Sequence, residues 1–280
     1  MTRILLQTTI PFTEDDWHAG RFSLLRDCLA SMDGVEVTAR DRTAAAGDDP
    51  VLASLGDSHY DQLWLFGVDG GEGITKGDCN GITKFVMRGG AILATRDHDD
   101  CGSSLCMLGG VGAAHFFHSH QLDPDPTRRQ RDDPYNRSID WPNYHSGRNG
   151  DYQHITPAGD VHPLLLRGDG STLDWFTAHP HEGAVGIPAG DSEARVVATG
   201  TSKATGRPFN LIVALEATSE RGRALAHSSF HHFCDYNWDL SAGCPSFVEE
   251  APGDEVQHHP ERMNDVRTYV GNAVRWLGGS

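Results

Sequence analysis

The chain has 280 residues, enough for one large α/β domain or two small ones with a substantial core; one domain is the expectation. With 23 Lys+Arg against 39 Asp+Glu the formal charge is −16, which repels phosphate backbones and anionic membrane surfaces and argues against nucleic-acid and membrane partners. No apolar run approaches a membrane span, the N-terminal residues turn polar too early for a signal peptide, and six cysteines form no CxxC pair, so reduced thiols and a cytoplasmic setting are expected.

Residues 3–10 predict a first strand, and apolar positions at Phe22, Leu24, Leu25, Cys28, Leu29 and Met32 predict an amphipathic helix over about 17–32. Val35–Thr38 alternates as a short strand, and Gln62–Val68 is continuous enough in apolar character for a buried one. The glycine-rich stretch 67–73 lacks both GxGxxG order and a P-loop Lys-Ser pair, and predicts a flexible cleft loop. A helix over 74–88, ended by Gly89-Gly90, leads into the strand Ala91–Thr95. Alternating β and α units of this length imply a doubly wound, mostly parallel sheet with helices on both faces.

From about 109 to 190 periodicity gives way to Pro, Gly, Asp, His and Trp, which predicts a long insertion or lid within a single domain spanning 1–280. Arg128, Arg129 and Arg131, interrupted by Asp132 and Asp133, predict a solvated loop there. The aromatics Trp141, Tyr144, Tyr152, Trp175 and Phe176 are either the insertion's own core or a stacking surface for a sugar-like ligand. Strands return at 195–199 and 209–215 around a turn at 205–207, then at 223–229, and a helix over about 260–277 closes the chain.

Sixteen histidines are an unusual number, and two strand ends concentrate them with acids: Asp97-His98-Asp99-Asp100-Cys101-Gly102 after one strand and Phe230-His231-His232-Phe233-Cys234-Asp235 after another. Strand ends of open α/β sheets are where such folds build their sites. Two motifs, Gly89-Gly90-Ala91-Ile92-Leu93-Ala94-Thr95 and the stretch from Gly222 to His231, resemble the two site strands of the class I glutamine-amidotransferase-like superfamily, and within it the ThuA-like (trehalose utilisation) branch. The resemblance implies a flavodoxin-like domain and a homodimer. The position at which amidotransferases carry their cysteine nucleophile falls near Arg96, and their His-Pro-Glu triplet is not reproduced after His231, which argues against a glutamine-hydrolysing triad. ThuA-like proteins place a histidine at this elbow; here His98 lies two residues further on.

Three chemistries fit these residues. The leading one is a divalent transition-metal site, zinc or a similar ion, with His98, His181 and His231 as ligands and Asp97, Asp100 and Glu182 as ligand, partner or general base, acting as a hydrolase on a small polar substrate. The second is a cysteine-dependent amidase using Cys101 at a helix start. The third is a non-catalytic, sugar-like ligand-binding domain.

Overall fold

The computed structural model describes residues 1–43, 46–132, 136 and 138–279; Asp133, part of the basic stretch, lies outside them. In chain order the elements are β1 (Thr2–Pro11), α1 (Ser23–Ala30), β2 (Val35–Arg42), α2 (Pro50–Ala53), β3 (Gln62–Phe66), α3 (Lys76–Met87) and β4 (Ala91–Thr95). Short strands β5 (His115–Phe116), β6 (Tyr152–His154), β7 (Thr156–Pro157), β8 (Trp175–Thr177) and β9 (Ala184–Val185) follow, then β10 (Ala194–Thr201), β11 (Pro208–Leu215) and β12 (Ala224–His227). Helices α4 (Asp235–Trp238), α5 (Glu255–His258) and α6 (Met263–Leu277) complete the described chain.

Eight strands form one sheet in the order β2-β1-β3-β4-β12-β11-β10-β7. The first five run parallel, and β11, β10 and β7 add an antiparallel flank. Side chains on a strand alternate between faces, and the sheet divides accordingly. Ile4, Leu6, Trp64, Phe66, Leu93 and Leu225 pack with Leu25 and Leu29 of α1 and with Val266 and Val270 of α6. Leu5, Leu63, Leu65, Ile92, Ala94 and Ala226 pack with Leu52 of α2 and with Ile82 and Phe85 of α3. The doubly wound α/β architecture expected from the sequence is therefore present.

Boundaries shift where distant carboxylates intervene. The helix expected over 17–32 begins as α1 only at Ser23, after a 3-10 turn, because the carboxylate of Asp235 accepts from the backbone N–H groups of Ser23 (3.0 Å) and Leu24 (2.8 Å) and caps it there. Strand β2 runs four residues beyond Thr38 to Arg42, since Arg40 and Arg42 find partners in Asp49 and Asp78. The glycine-rich loop is tied down by Asp69, which accepts from Ser104 Oγ at 2.8 Å and from the Gly71 N–H at 2.8 Å.

Between 109 and 190 the described residues hold 3-10 turns and five strands of two or three residues. Strands β5 and β9 pair with each other, as do β6 and β8, while β7 joins the main sheet. Trp141, Tyr144, Tyr152 and Phe176 are buried, Tyr144 stacking on Phe209 and Phe176 meeting Tyr269 edge-on. These four are core rather than an open stacking platform, while Trp175 is half-buried with the Arg262 guanidinium 3.9 Å over its ring. No helix among the described residues is long and apolar enough to cross a membrane.

Candidate metal centre

Strands β4 and β12 are neighbours with Thr95 opposite His227, so the residues that follow each of them emerge side by side. The Phe230 N–H donates to the Arg96 carbonyl at 2.8 Å and the Gly183 N–H to the Ser228 carbonyl at 3.0 Å, which brings a third segment, 179–183, against both strand ends. Gly183 is required there: a Cβ would stand 2.5 Å from the Asp97 carbonyl oxygen and 2.6 Å from that of Ser228.

Asp97 is the centre of what these three segments assemble. Its Oδ1 lies 3.2 Å from His179 Nε2, and its Oδ2 lies 3.5 Å from both His231 Nε2 and His98 Nε2. The rings of His179 and His231 are stacked, with centroids 3.6 Å apart and 9° between their planes. Asp97, His179 and His231 are all buried, and each offers a ligand atom within 4.8 Å of the other two. His98 reaches the same carboxylate but falls outside that group, and it is the one ring of the three with appreciable solvent contact, its side chain 29% exposed. Burial lowers His98 to about 4, so it is neutral at pH 7.

The tautomer of His179 is fixed by its other nitrogen. His179 Nδ1 lies 2.9 Å from Asn149 Oδ1, an oxygen that can only accept, so Nδ1 carries the hydrogen and Nε2 presents a lone pair toward Asp97. That Nε2 is buried, and the atom it faces is Asp97 Oδ1 at 3.2 Å, without the alignment of a good hydrogen bond. Burial, reinforced by the neighbouring His231, drives His179 well below the usual histidine range, so it is not an imidazolium at neutral pH. A lone pair aimed at a carboxylate oxygen in a buried place is unfavourable unless a cation lies between them. The distances to Asp97 suit a metal, since donors about 2.0–2.1 Å from a shared tetrahedral ion stand roughly 3.4 Å apart; the stacking of His179 on His231 means that one ring must turn before both lone pairs meet on one ion. Ser229 Oγ adds a hydrogen bond to Asp97 Oδ1 at 3.1 Å and orients the carboxylate.

The remaining sequence candidates turn to other partners, His181 with its ring beside those of His98 and His179. His181, expected as a ligand, instead places Nε2 2.8 Å from Glu250 Oε1 and Nδ1 3.2 Å from Asn143 Oδ1. Glu182 is wholly buried and belongs to a separate polar network: Oε1 accepts from Ser146 Oγ (2.9 Å) and Gln153 Nε2 (2.7 Å) and meets His232 Nε2 (3.0 Å), while Oε2 accepts from Ser228 Oγ (2.7 Å). Asp100 accepts from the Ser119 hydroxyl at 2.6 Å near the surface. Burial pushes the Cys101 thiol well above its usual value, and the charges of Asp97 and Asp69 add to this, the opposite of an activated nucleophile.

Arg96, directly after β4, is fully buried with its guanidinium 4.0 Å over the Phe117 ring. It donates to the carbonyl of Asp99, which also accepts from the His118 N–H at 3.3 Å, and these tethers hold Asp99 at a φ of 49°. A non-glycine residue in that region costs roughly 1–2 kcal/mol, here offset by the anchoring of its carbonyl.

No protein-family model and no curated protein matches the chain by sequence. Among solved structures, the glutaminase domain of CTPS from Trypanosoma brucei, with bound acivicin, superposes with a TM-score of 0.50 at 15% identity, covering 98% of this chain and 92% of that one. A protein from Bacteroides uniformis described as ThuA-like superposes with a TM-score of 0.46 at 12% identity, over 99% of this chain and 91% of the other. The glutaminase-domain likeness is one of fold and agrees with the sheet described above.

Proposed function

We propose that Asp97, His179 and His231 hold a divalent transition metal ion, zinc being favoured by the imidazole and carboxylate donor set, and that the chain is a hydrolase-type enzyme acting on a small polar molecule. The observation that carries this reading is the buried group of Asp97, His179 and His231, with the His179 Nε2 turned toward Asp97 while its Nδ1 is held by Asn149. One proton could bridge Asp97 to a single imidazole; three Nε2 atoms at 3.2–3.5 Å from one carboxylate ask for a cation that several donors can share. Such an ion would lower the pKa of a bound water toward neutrality. Neutral His98, at the solvent side, is placed beside a molecule arriving at the centre and can hydrogen-bond to it. A ThuA-like kinship, a cytoplasmic setting suited to unpaired cysteines, and a homodimer belong to the same proposal.

Elemental analysis of protein purified without a histidine tag, followed by zinc titration of the chelator-treated protein, tests the reading. Near-stoichiometric uptake, lost in Asp97→Asn and His231→Ala, is expected. Absence of uptake by the folded wild type would sink it. Uptake without turnover across a panel of small esters, amides and deacetylation substrates would favour the ligand-binding alternative.

A further inference from the structure

A wholly buried carboxyl group is costly unless its oxygens find partners. Glu182 has four: the hydroxyls of Ser146 and Ser228, the Gln153 amide and the His232 ring, all at 2.7–3.0 Å. Its backbone is fixed as well, exchanging two hydrogen bonds with Tyr144 at 2.8 and 3.0 Å.

Three of those partners lead directly to the metal group. Ser146 Oγ accepts from the His179 N–H at 2.9 Å, and the Ser146 N–H donates to the His179 carbonyl at 3.1 Å, so the hydroxyl that Glu182 anchors clamps the backbone of one proposed ligand. Ser228 precedes Ser229, whose Oγ accepts from the His231 N–H and donates to Asp97 Oδ1, both at 3.1 Å. His232 follows His231 in the chain. One carboxylate thus joins the stretch around Ser146 to residues 228–232 from within the segment that carries His179. Ligand groups of a metal must be held to within about 0.5 Å, and backbone anchors of this kind are what hold them.

We propose that Glu182 is a positioning residue of the metal centre: through Ser146, Ser228 and His232 it fixes the backbones of His179 and His231 relative to each other, together with the Ser229 hydroxyl that orients Asp97. The inference rests on the metal reading above.

The test titrates cobalt(II), whose visible spectrum reports the geometry of its ligands, into the chelator-treated full chain, with a urea midpoint measured on the same samples. Glu182→Met, similar in size but without an oxygen acceptor, should weaken cobalt about 10–100-fold per folded molecule and alter the spectrum. Glu182→Gln keeps an oxygen for the partners of Oε1, and its amide can donate to the Ser228 hydroxyl, so it should lose less than about threefold. Phe233→Ala, a core lesion whose ring makes no hydrogen bond, should keep wild-type affinity and spectrum per folded molecule, which separates positioning from lost stability. Ser228→Ala removes one contact of Glu182 while the Ser228 backbone keeps its bonds to Gly183 and Leu211, and should weaken cobalt about tenfold; it decides the matter if Glu182→Met does not fold. Wild-type affinity and spectrum in folded Glu182→Met or in Ser228→Ala, or a loss in Phe233→Ala equal to that in Glu182→Met, would overturn the positioning role and leave the metal site standing. No cobalt uptake by the folded wild type would overturn both.

Discussion

Replacing Asn149 by alanine removes the acceptor that fixes the His179 tautomer without touching any proposed ligand, because the Asn149 backbone carbonyl still receives the Gly253 N–H. Loss of such a partner typically costs about 10–100-fold in metal affinity, or about 1.4–2.8 kcal/mol. At a zinc concentration about 100 times the wild-type Kd the wild type gains about 2.7 kcal/mol, a tenfold weaker variant about 1.4 and a hundredfold weaker one about 0.4. At about 2 °C per kcal/mol for a chain of this size, zinc should raise the wild-type Tm by about 5 °C and that of Asn149→Ala by about 1–3 °C. Asn149→Asp keeps an oxygen acceptor and should retain the wild-type response. Scanning fluorimetry of chelator-treated protein with and without zinc measures all three. A full zinc-dependent rise in Asn149→Ala, or equal losses in the alanine and aspartate variants, would refute the reasoning.

Four further outcomes follow from the same contacts. Gly183→Ala should destabilise by about 1–3 kcal/mol and abolish zinc binding, since its Cβ would collide with backbone oxygens on both site strands; urea unfolding and zinc titration of the same sample check this. Phe233→Ala, which empties a fully buried position against Trp64, Phe66 and Phe176, should cost about 3–5 kcal/mol in urea while leaving zinc affinity per folded molecule unchanged. For Asp49, burial works to raise the carboxyl, but the Arg40 guanidinium and the Thr43 and Leu52 N–H groups win and hold it below its ordinary 3.8. Its stabilisation is therefore present above pH 3.8 and lost as pH falls through the lower folded-state value, so the deficit of Asp49→Asn, about 1–3 kcal/mol at pH 7, should shrink below pH 3.8; a pH-independent deficit in urea midpoints would contradict this. Cys101→Ser should leave zinc affinity intact, and Cys101 in the wild type should react slowly with iodoacetamide at pH 7.5, whereas rapid labelling would restore it as a nucleophile candidate.

The winding of the sheet was legible from the order of apolar segments, because side-chain alternation and helix periodicity are local properties. So was the gathering of acids and imidazoles at the ends of β4 and β12: Asp97, His98 and His231 all meet there. The third contributor was not. The run His179-Pro180-His181-Glu182 stands out in the sequence, yet nothing local says which histidine turns to Asp97; His181 was the expected ligand, and His179 is the residue in place. Asn149 carried no signal at all, since its role consists of one hydrogen bond across 30 positions.

The sequence by itself thus determined the α/β class, the parallel centre of the sheet and the two strand ends that carry acids and imidazoles, through periodicities that need no knowledge of distant partners. Only the tertiary structure decided which of those groups share a site. Glu182 turned into a buried network with Ser146, Gln153, Ser228 and His232, Cys101 came to lie in surroundings that favour its neutral thiol, and His179 was brought to Asp97 across 82 positions of sequence. The physical reason is that a ligand set is defined by donor directions within about 4 Å, and in a segment with little regular structure those directions are fixed by packing and by single long-range hydrogen bonds rather than by spacing along the chain.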